Sequence, residues 1–418
     1  MQFRFVHAAD LHLDSPLRGV PAQGSLRATF EGATFAALSH IVDLCLSQKA
    51  DFLVLAGDLF EFRDRSVRAR LALRRELCRL HEAEIPSFIV HGNHDPLSTD
   101  NGMLKLPPSV KVFGARWEEM EVRRAGSSAL LCRVQGVSYP EERVGENLSR
   151  MFHRSGPEFT VGLLHANLEG RREHPNYAPC TLADLSQRGL DYWALGHVHT
   201  RAEHALDCGG IAVYPGNPQG RHAGETGERG CVVVDVADGR SVRRFVPVES
   251  VRWHRLELDV STLESLEALL SAMEEKVYQS CGEGPDAHAV RLVLMGEGAL
   301  HRELASPGAL GELEDELRRC AMERTPPVAV ESIVDETCAH VELDRLMASG
   351  GLAGAVVSAA KAARTEGGLA AAWADRDLAR LEGALRRAGV RSPREEGRRV
   401  LNRAMARALE LLQEEAGP

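Results

Sequence analysis

The chain of 418 residues is long enough for two or three domains, and 44% hydrophobic with 26% charged residues is typical of a globular protein. Its formal net charge of −10 argues against a protein that coats nucleic acid non-specifically, so any contact with DNA would need a local basic patch. The apolar runs are far shorter than the roughly 20 residues that cross a bilayer. The N-terminus also lacks the layout of a secretory signal, and we expect a cytoplasmic protein.

Nine cysteines are scattered along the chain without a C-x-x-C pair. That spacing argues against a zinc ribbon and against a small disulfide scaffold. We therefore expect most of the cysteines to be reduced residues of the core, where free cysteine is usually found.

In chain order, one local pattern recurs in the N-terminal half: a short apolar run ends, and a polar residue able to bind a metal follows at once. Such runs are typical of buried strands, so the polar residues are predicted on loops just beyond the strand ends. Helical patterns at 34–48 and 67–83 separate the first runs, which predicts α/β layers with a site along one sheet edge. The runs lie at 3–9, 52–56, 87–90, 160–164 and 192–195.

The later part of the chain changes character twice. Strand patterns at 129–134, 136–139, 211–214 and 231–236 follow at short intervals and predict a second, more antiparallel sheet. Near residue 250 a small βα-type domain begins, with strands at 252–260 and 288–296 and helices at 262–279 and 309–322. Beyond residue 340 the composition indicates helices, the last starting with a capping box at Ser392. The predicted domains are 1–250, 251–335 and 336–418.

The polar residues beyond the apolar runs form five islands that can converge at one sheet edge. Their donors are imidazole, carboxylate and amide groups without a thiolate, which suits Mn, Fe or Zn with open positions rather than a closed structural zinc site. A carboxylate such as Asp58 can bridge two cations about 3.5–4 Å apart, a spacing suited to displacement at phosphorus. The islands contain Asp10, His12, Asp58, Asn93, His94, Asp95, His165, His197 and His199.

These islands resemble the calcineurin-like metallophosphoesterase superfamily, and the passages around them are similar to the bacterial SbcD/YhaO-type DNA repair exonucleases. The resemblance implies an α/β fold, an αββα sandwich followed by a small α+β capping domain and C-terminal helices. It covers roughly residues 5–231. The passages are HAADLHLDSPL, AGDLFEFRDRSVRARL, HGNHDPL, LLHANLEG, HPNYAPCTLADLSQRGLDYWALGHVHTR and YPGNPQGRHAGETGERGC.

The resemblance implies two divalent metal ions, with Mn²⁺ as the expected metal. One ion would be held by Asp10, His12, Asp58 and His199, and the other by Asp58, Asn93, His165 and His197.

His94 matches the family histidine that faces the scissile phosphate without binding metal, where an imidazolium could protonate the leaving oxygen. Asp95 is a candidate to orient His94, and an Asx turn before Pro96 is the equally open alternative. Glu61 stands where archaeal and eukaryotic relatives carry a histidine, which leaves exonuclease polarity open.

The leading functional hypothesis is a metal-dependent exonuclease or endonuclease of DNA repair that uses a metal-activated hydroxide. The small domain after residue 250 favours DNA as the substrate, and so do arginines close in sequence to the predicted metal ligands. A solvated helix face would also explain the arginines that follow Asp58. A phosphodiesterase or phosphatase acting on a small nucleotide or phosphoprotein is the alternative, and the intact ligand set speaks against a mere DNA-end scaffold. The candidate DNA-binding residues are Arg63, Arg65, Arg68, Arg171 and Arg221.

The partners expected beyond DNA come from the resemblance. The sequence has no G-x-x-x-x-G-K-[ST] motif, so we do not expect ATP binding through a P-loop. The resemblance implies a homodimer and a separate coiled-coil ATPase of the SbcC/YhaN kind. The C-terminal helices would be its docking point, and the apolar stripe of the helix predicted at 393–415 fits a helix-in-groove mode. Packing of that stripe on the protein's own C-terminal helices is the open alternative.

Overall fold

The structure is a computed structural model that describes residues 2–20, 25–61, 66–99, 104–124, 126–127, 129–170 and 177–339. Arg63, Arg65, Arg171 and the predicted C-terminal helices lie outside the described residues. None of the helices within these ranges is long and apolar enough to cross a membrane.

The described residues form strands and α-helices that alternate in the N-terminal part. The strands are β1 (Gln2–Ala8), β2 (Phe52–Ala56), β3 (Ser87–Val90), β4 (Val110–Val112), β5 (Glu118–Arg123), β6 (Leu130–Val137), β7 (Thr160–His165), β8 (Tyr192–Gly196), β9 (Ala202–Ala205), β10 (Ile211–Tyr214), β11 (Gly230–Ala237), β12 (Arg240–Pro247), β13 (Val251–Asp259), β14 (Ala287–Glu297) and β15 (Val328–Cys338). The helices are α1 (Ser25–Ser47), α2 (Val67–Glu82), α3 (Leu182–Ser186), α4 (Leu266–Ser280), α5 (His301–Leu304) and α6 (Ala309–Met322).

Two six-stranded sheets carry the N-terminal part. The first has the order β12-β11-β1-β2-β3-β4. Strands β1 to β4 are parallel to one another, and β11 is antiparallel to both of its neighbours, β1 and β12. The second has the order β5-β6-β7-β8-β10-β9, in which β6, β7, β8 and β10 are parallel. Only its edge pairs, β5 with β6 and β10 with β9, are antiparallel.

The prediction of a more antiparallel second sheet was therefore wrong. Residues 231–236 lie in β11, which pairs with β1 in the first sheet. Residues 129–134 and 136–139 do not form two strands, because β6 runs unbroken through Gly136. A Cβ there would lie 2.2 Å from the Phe113 ring, so this glycine permits close packing within a strand. Short spacing along the chain thus did not reveal which strands pair.

Alternation along the buried strands creates three apolar layers. Phe5 and Phe52 belong to the core between the two sheets, together with Val161 of β7. Their neighbours Val6 and Leu53 face the opposite side, where α1 and α2 cover the first sheet. The outer face of the second sheet packs with α3 and nearby loops. The predicted α/β sandwich is confirmed.

The two long N-terminal helices illustrate how the sequence forms these layers. In α2 the Ser66 hydroxyl caps the first turn by accepting a hydrogen bond from the Ala69 amide. The apolar residues that follow at helical spacing are buried, as predicted for 67–83. Helix α1 begins earlier than predicted, because Leu26 and Phe30 are buried in a separate cluster with Trp253.

The chain divides into two compact units. The first comprises Met1–Arg255, Gln279–Arg291 and Cys320–Glu331, and the described part of the second comprises 256–278, 292–319 and 332–339. A third sheet has the order β13-β14-β15. Its first two strands and the helices α4 and α6 match the predicted elements. The strand β15 was missed, because the prolines before Val328 suggested the end of the domain.

Candidate metal centre

The predicted metal-ligating residues lie at the carboxyl ends of β1, β2, β3, β7 and β8, with His165 as the last residue of β7 and the others on the loops that follow. Backbone bonds tie these loops together: the Asp10 amide donates to the Gly57 carbonyl, and the His12 amide donates to the Asp58 carbonyl, each at 3.0 Å. The His197 amide donates to Asp10 Oδ1 at 3.0 Å. Neighbouring parallel strands bring their loops to one edge, which explains how distant islands meet.

Four of the predicted ligands adopt left-handed backbone conformations. The φ angles are 54° at Asp10, 41° at His12, 51° at Asp58 and 100° at His197. Such conformations are uncommon for residues with a side chain and collect at functional sites. The turns aim these four side chains into the space between the loops.

Asp10, His12 and His199 form the first donor group. Their ligand atoms lie within 4.8 Å of one another. His12 Nε2 and His199 Nε2 face each other at 3.2 Å. His199 Nδ1 contacts Glu225 Oε1 at 2.7 Å and donates its proton to that carboxylate, so the Nε2 atom is left with a lone pair. Burial and the charge of Arg221 lower the pKa of His12 to about 3, so that imidazole is neutral.

The second donor group contains Asp58, Asn93, His165 and His197. Asn93 Oδ1 lies 3.1 Å from both His165 Nε2 and His197 Nδ1. His165 donates Nδ1–H to the Ala56 carbonyl at 2.9 Å, which directs Nε2 into the centre. Asp58 Oδ2 lies 3.3 Å from His165 Nε2 and 3.9 Å from His12 Nε2, so it faces both groups. This position suits the predicted bridge.

The charges of the centre fit divalent cations. Asp10 and Asp58 are each only 1% exposed, and two buried carboxylates at one place require positive charge. Without metal, a proton supplies some of that charge: burial lowers the pKa of His165, but Asp58 and Asp10 raise it to about 9. A metal ion would displace this proton. The oxygen and imidazole donors, with imidazole tautomers fixed by outer partners, are those of a divalent metal site.

His94 lies beside both groups with its side chain 38% exposed. Its amide donates to Asp58 Oδ1 at 2.9 Å, and its Nδ1 atom contacts Glu61 Oε1 at 2.6 Å. Burial lowers the pKa of His94, but the hydrogen bond to Glu61 and the charge of Asp58 outweigh it and raise the pKa. The ring can therefore hold a proton near its exposed side.

Asp95, which was predicted to orient His94, accepts hydrogen bonds from two backbone amides. Asp95 Oδ2 accepts from the Leu59 amide at 2.9 Å and Oδ1 accepts from the Gly92 amide at 2.8 Å. Those bonds brace the two loops that carry Asp58 and His94. The carboxylate that contacts the His94 ring is that of Glu61.

Glu225 is a functional candidate that the sequence did not reveal. It is 6% exposed and accepts hydrogen bonds from His199 Nδ1, from Asn217 Nδ2 at 2.9 Å and from the Arg221 amide at 2.7 Å. It thereby fixes the tautomer of His199. No spacing rule marks a lone glutamate in a glycine-rich loop, and its only signal was the family-like passage around it.

Arg68 and Arg221 are the candidate DNA-binding arginines within the described residues. Arg68 lies on α2 with an exposed side chain, 3.6 Å from Asp14 and over the Phe35 ring. Arg221 is instead part of the metal centre, since its side chain is 16% exposed and Nη1 lies 3.5 Å from Glu61 Oε2. It adds a fixed positive charge beside His94 rather than a solvent-exposed contact for a nucleic-acid backbone.

Comparison with known proteins gives matches along most of the chain. The profile of the calcineurin-like phosphoesterases matches residues 3–201, and that of the middle domain of metallophosphoesterase YhaO matches residues 253–338. The uncharacterized metallophosphoesterase YhaO of Bacillus subtilis is 34% identical over 349 residues, covering 82% of this chain and 84% of that protein.

More distant relatives match over a shorter stretch. The DNA double-strand break repair protein Mre11 of Sulfurisphaera tokodaii is 25% identical over 228 residues, covering 51% of this chain and 54% of the archaeal protein. The crystal structure of a dimetal phosphatase from Danio rerio aligns at 13% identity with a TM-score of 0.36, covering 58% of this chain and 95% of that one.

Proposed function

Because this chain belongs to the calcineurin-like metallophosphoesterase family, whose members use divalent metals, we propose that it hydrolyses phosphodiester bonds of DNA. The observation that carries the proposal is the pair of donor groups sharing Asp58, with a proton-holding His94 beside them. A DNA strand leaves as a poorly stabilised alkoxide, so its cleavage needs a proton donor at this position. The similarity to Mre11, named for DNA double-strand break repair, supports DNA as the substrate.

The residues of the metal centre have different roles in the proposed hydrolysis. When bound, two divalent ions would polarise the phosphate and lower the pKa of the attacking water. His94 donates a proton from Nε2 to the departing oxygen, while Glu61 accepts the Nδ1–H bond and holds the ring in place. Arg221 adds positive charge near the phosphate oxygens, and Glu225 orients His199. We propose Mn²⁺ as the metal, since the centre offers oxygen and imidazole donors without a thiolate.

The test is hydrolysis of end-labelled linear and hairpin DNA with added Mn²⁺, run beside hydrolysis of bis(p-nitrophenyl) phosphate. We expect the wild-type protein to cleave both substrates and Asp58→Asn to cleave neither. His153 lies in an exposed position away from the centre, so His153→Gln is the matched control for His94→Gln. Intact DNA combined with cleavage of the aryl diester would favour the alternative, a phosphodiesterase for small nucleotides.

The domain division and the cellular location are inferred from the sequence, and the partners from the family resemblance. We propose the domain division 1–250, 251–335 and 336–418, and the match of the YhaO middle-domain profile to residues 253–338 supports the central part. Cytoplasmic location, a homodimer and a separate coiled-coil ATPase stay predictions. Co-purification of the ATPase with the full chain, but not with a chain lacking residues 340–418, would support the predicted docking point.

A further inference from the structure

A second set of metal-binding side chains comes together away from the metal centre. His254 lies on β13, Cys281 follows α4, and His288 lies on β14. One ligand atom from each side chain lies within 4.8 Å of the other two. All three belong to the first compact unit, and we name them the thiol–imidazole cluster. We propose that this cluster is a separate binding site for a thiophilic divalent ion such as Zn²⁺.

The hydrogen bonds of the two imidazoles point to this role. His288 Nε2 lies 2.8 Å from the Gly282 carbonyl, which can only accept, so this nitrogen carries the proton. The neutral ring then keeps its lone pair on Nδ1, which faces His254 Nε2 at 2.9 Å. A ring that donates one N–H to a backbone carbonyl and turns the other nitrogen inward is the usual arrangement of a metal-bound histidine.

Both rings are held neutral, as metal ligation requires. Burial and the charges of His288 and Arg252 lower the pKa of His254 to about 4. Burial also lowers the pKa of His288. Without metal, one proton between His254 Nε2 and His288 Nδ1 satisfies the pair. If that proton moves to His254 Nδ1, both inward nitrogens become available to one cation.

The cysteine decides which cation the cluster selects. Cys281 is 4% exposed, and burial raises the pKa of its thiol to about 11, although Arg324 lowers it. A bound transition-metal ion deprotonates a thiol and keeps the thiolate as a ligand. One thiolate with two imidazoles favours Zn²⁺ or Co²⁺ over Mg²⁺ and Mn²⁺. The cluster therefore differs in selectivity from the oxygen-rich metal centre.

Two arginines, Arg252 and Arg324, lie near the cluster, and Arg324 Nη2 donates to the Cys281 carbonyl at 3.4 Å. The nearby Arg252 guanidinium donates to Glu249 Oε1 at 2.6 Å, so a carboxylate offsets its charge. A divalent ion with one thiolate adds a single net positive charge. His254 is partly exposed whereas His288 is 1% exposed, which leaves an approach from the His254 side. Three protein ligands leave a fourth position of a tetrahedral ion for water or another small ligand.

The experiment is a titration of the chelator-treated full-length protein with Co²⁺ alone, followed by absorption spectroscopy. Thiolate–Co²⁺ bonds give a near-ultraviolet charge-transfer band, whereas the metal centre has no thiolate donor among its predicted ligands. We expect the band in the wild-type protein, its removal by added Zn²⁺, and its loss in Cys281→Ser. The exposed Cys208 provides the control, because Cys208→Ser should keep the full band.

A second variant guards against misfolding of Cys281→Ser. His254 is less buried than Cys281, so His254→Ala removes one ligand at a lower risk to the core. We expect Co²⁺ binding, measured by the same band, to weaken about tenfold or more in this variant, while circular dichroism stays unchanged. A wild-type protein without the band, or a band that survives both changes at full affinity, would overturn the proposal and identify the cluster as a hydrogen-bonded core pair.

Discussion

The metal centre and the thiol–imidazole cluster use the same side chain in opposite ways. His165 is fully buried and His254 is partly buried, and burial lowers the pKa of each. Two carboxylates beside His165 reverse that effect and raise its pKa to about 9, whereas His254 meets another imidazole and an arginine, and its pKa falls to about 4. The comparison teaches that neighbouring carboxylates can reverse the effect of burial on the pKa of a histidine, whereas neighbouring cationic groups add to it.

The largest effect is expected for Asp58→Asn, which should impair the metal centre and leave the thiol–imidazole cluster unchanged. Asp58→Asn removes the carboxylate that faces both donor groups, and the loss of several kcal/mol of transition-state stabilisation corresponds to about 10⁴-fold slower hydrolysis of bis(p-nitrophenyl) phosphate. The thiolate–Co²⁺ band of the cluster should be unchanged in the same protein. A variant that lost both signals would break the comparison, because the two sites would then depend on one another.

His94→Gln tests whether the metal centre moves protons, which the cluster is not built to do. We expect DNA cleavage to fall by about 10²- to 10³-fold, since a general acid contributes that much to a poor leaving group. Hydrolysis of the nitrophenyl diester should fall far less, because nitrophenolate leaves without a proton. Equal losses on the two substrates, with His153→Gln as the control, would argue for a role of His94 in binding instead.

Gly92→Ala should disturb the geometry of the metal centre without removing a metal-binding atom. A Cβ at this position would lie 2.3 Å from Asp58 Oδ1 and 2.8 Å from the His165 ring. Displacement of these ligands should slow hydrolysis about 10²-fold. Gly32→Ala is the matched control, because nothing lies within 4 Å of its Cβ; its place in α1 should give a stability gain of up to about 1 kcal/mol with full activity. Thermal unfolding would expose a folding defect in Gly92→Ala.

The smallest effect concerns the outer support of the centre. Glu225→Gln keeps the shape but removes the charge that holds His199 Nδ1–H, so we expect metal affinity to fall about 10- to 100-fold. At saturating Mn²⁺ the kcat should return towards the wild-type value, and thermal unfolding of the metal-free protein should match that of the wild type, which a general loss of stability would not allow. Glu76 is equally buried and ion-paired on α2, so Glu76→Gln controls for the loss of a buried carboxylate.

The same contrast shows what the sequence could predict. The strands could be recognised as apolar runs, and each predicted ligand followed one of them. The convergence of these ligands at one edge of the sheets could therefore be predicted from the sequence. The cluster could not be inferred, because Cys281 and His288 are seven positions apart without a spacing rule and His254 stands alone. Their meeting depends on how β13, β14 and the end of α4 pack.

The errors in the fold and the site have a common physical origin. β11 pairs with β1 although more than two hundred residues separate them. Local sequence patterns do not predict which distant strands pair. Glu61 reaches His94 from another loop in the same way, so Asp95 seemed the better candidate because it was adjacent in sequence. Adjacent residues on a tight turn often point apart, whereas residues on neighbouring loops meet.

The left-handed turns at Asp10, His12, Asp58 and His197 have a consequence for tolerance to mutation. At about 1–3 kcal/mol each, they consume an appreciable share of the roughly 5–15 kcal/mol by which a domain is stable. Phe52 is fully buried between the sheets, and Phe52→Leu should lower stability by about 1–2 kcal/mol. Metal at about 100 times its dissociation constant returns about 2.7 kcal/mol. The unfolding temperature of this core variant should therefore lie below that of the wild type without metal and rise at high Mn²⁺, so that the bound ions offset defects far from the metal centre.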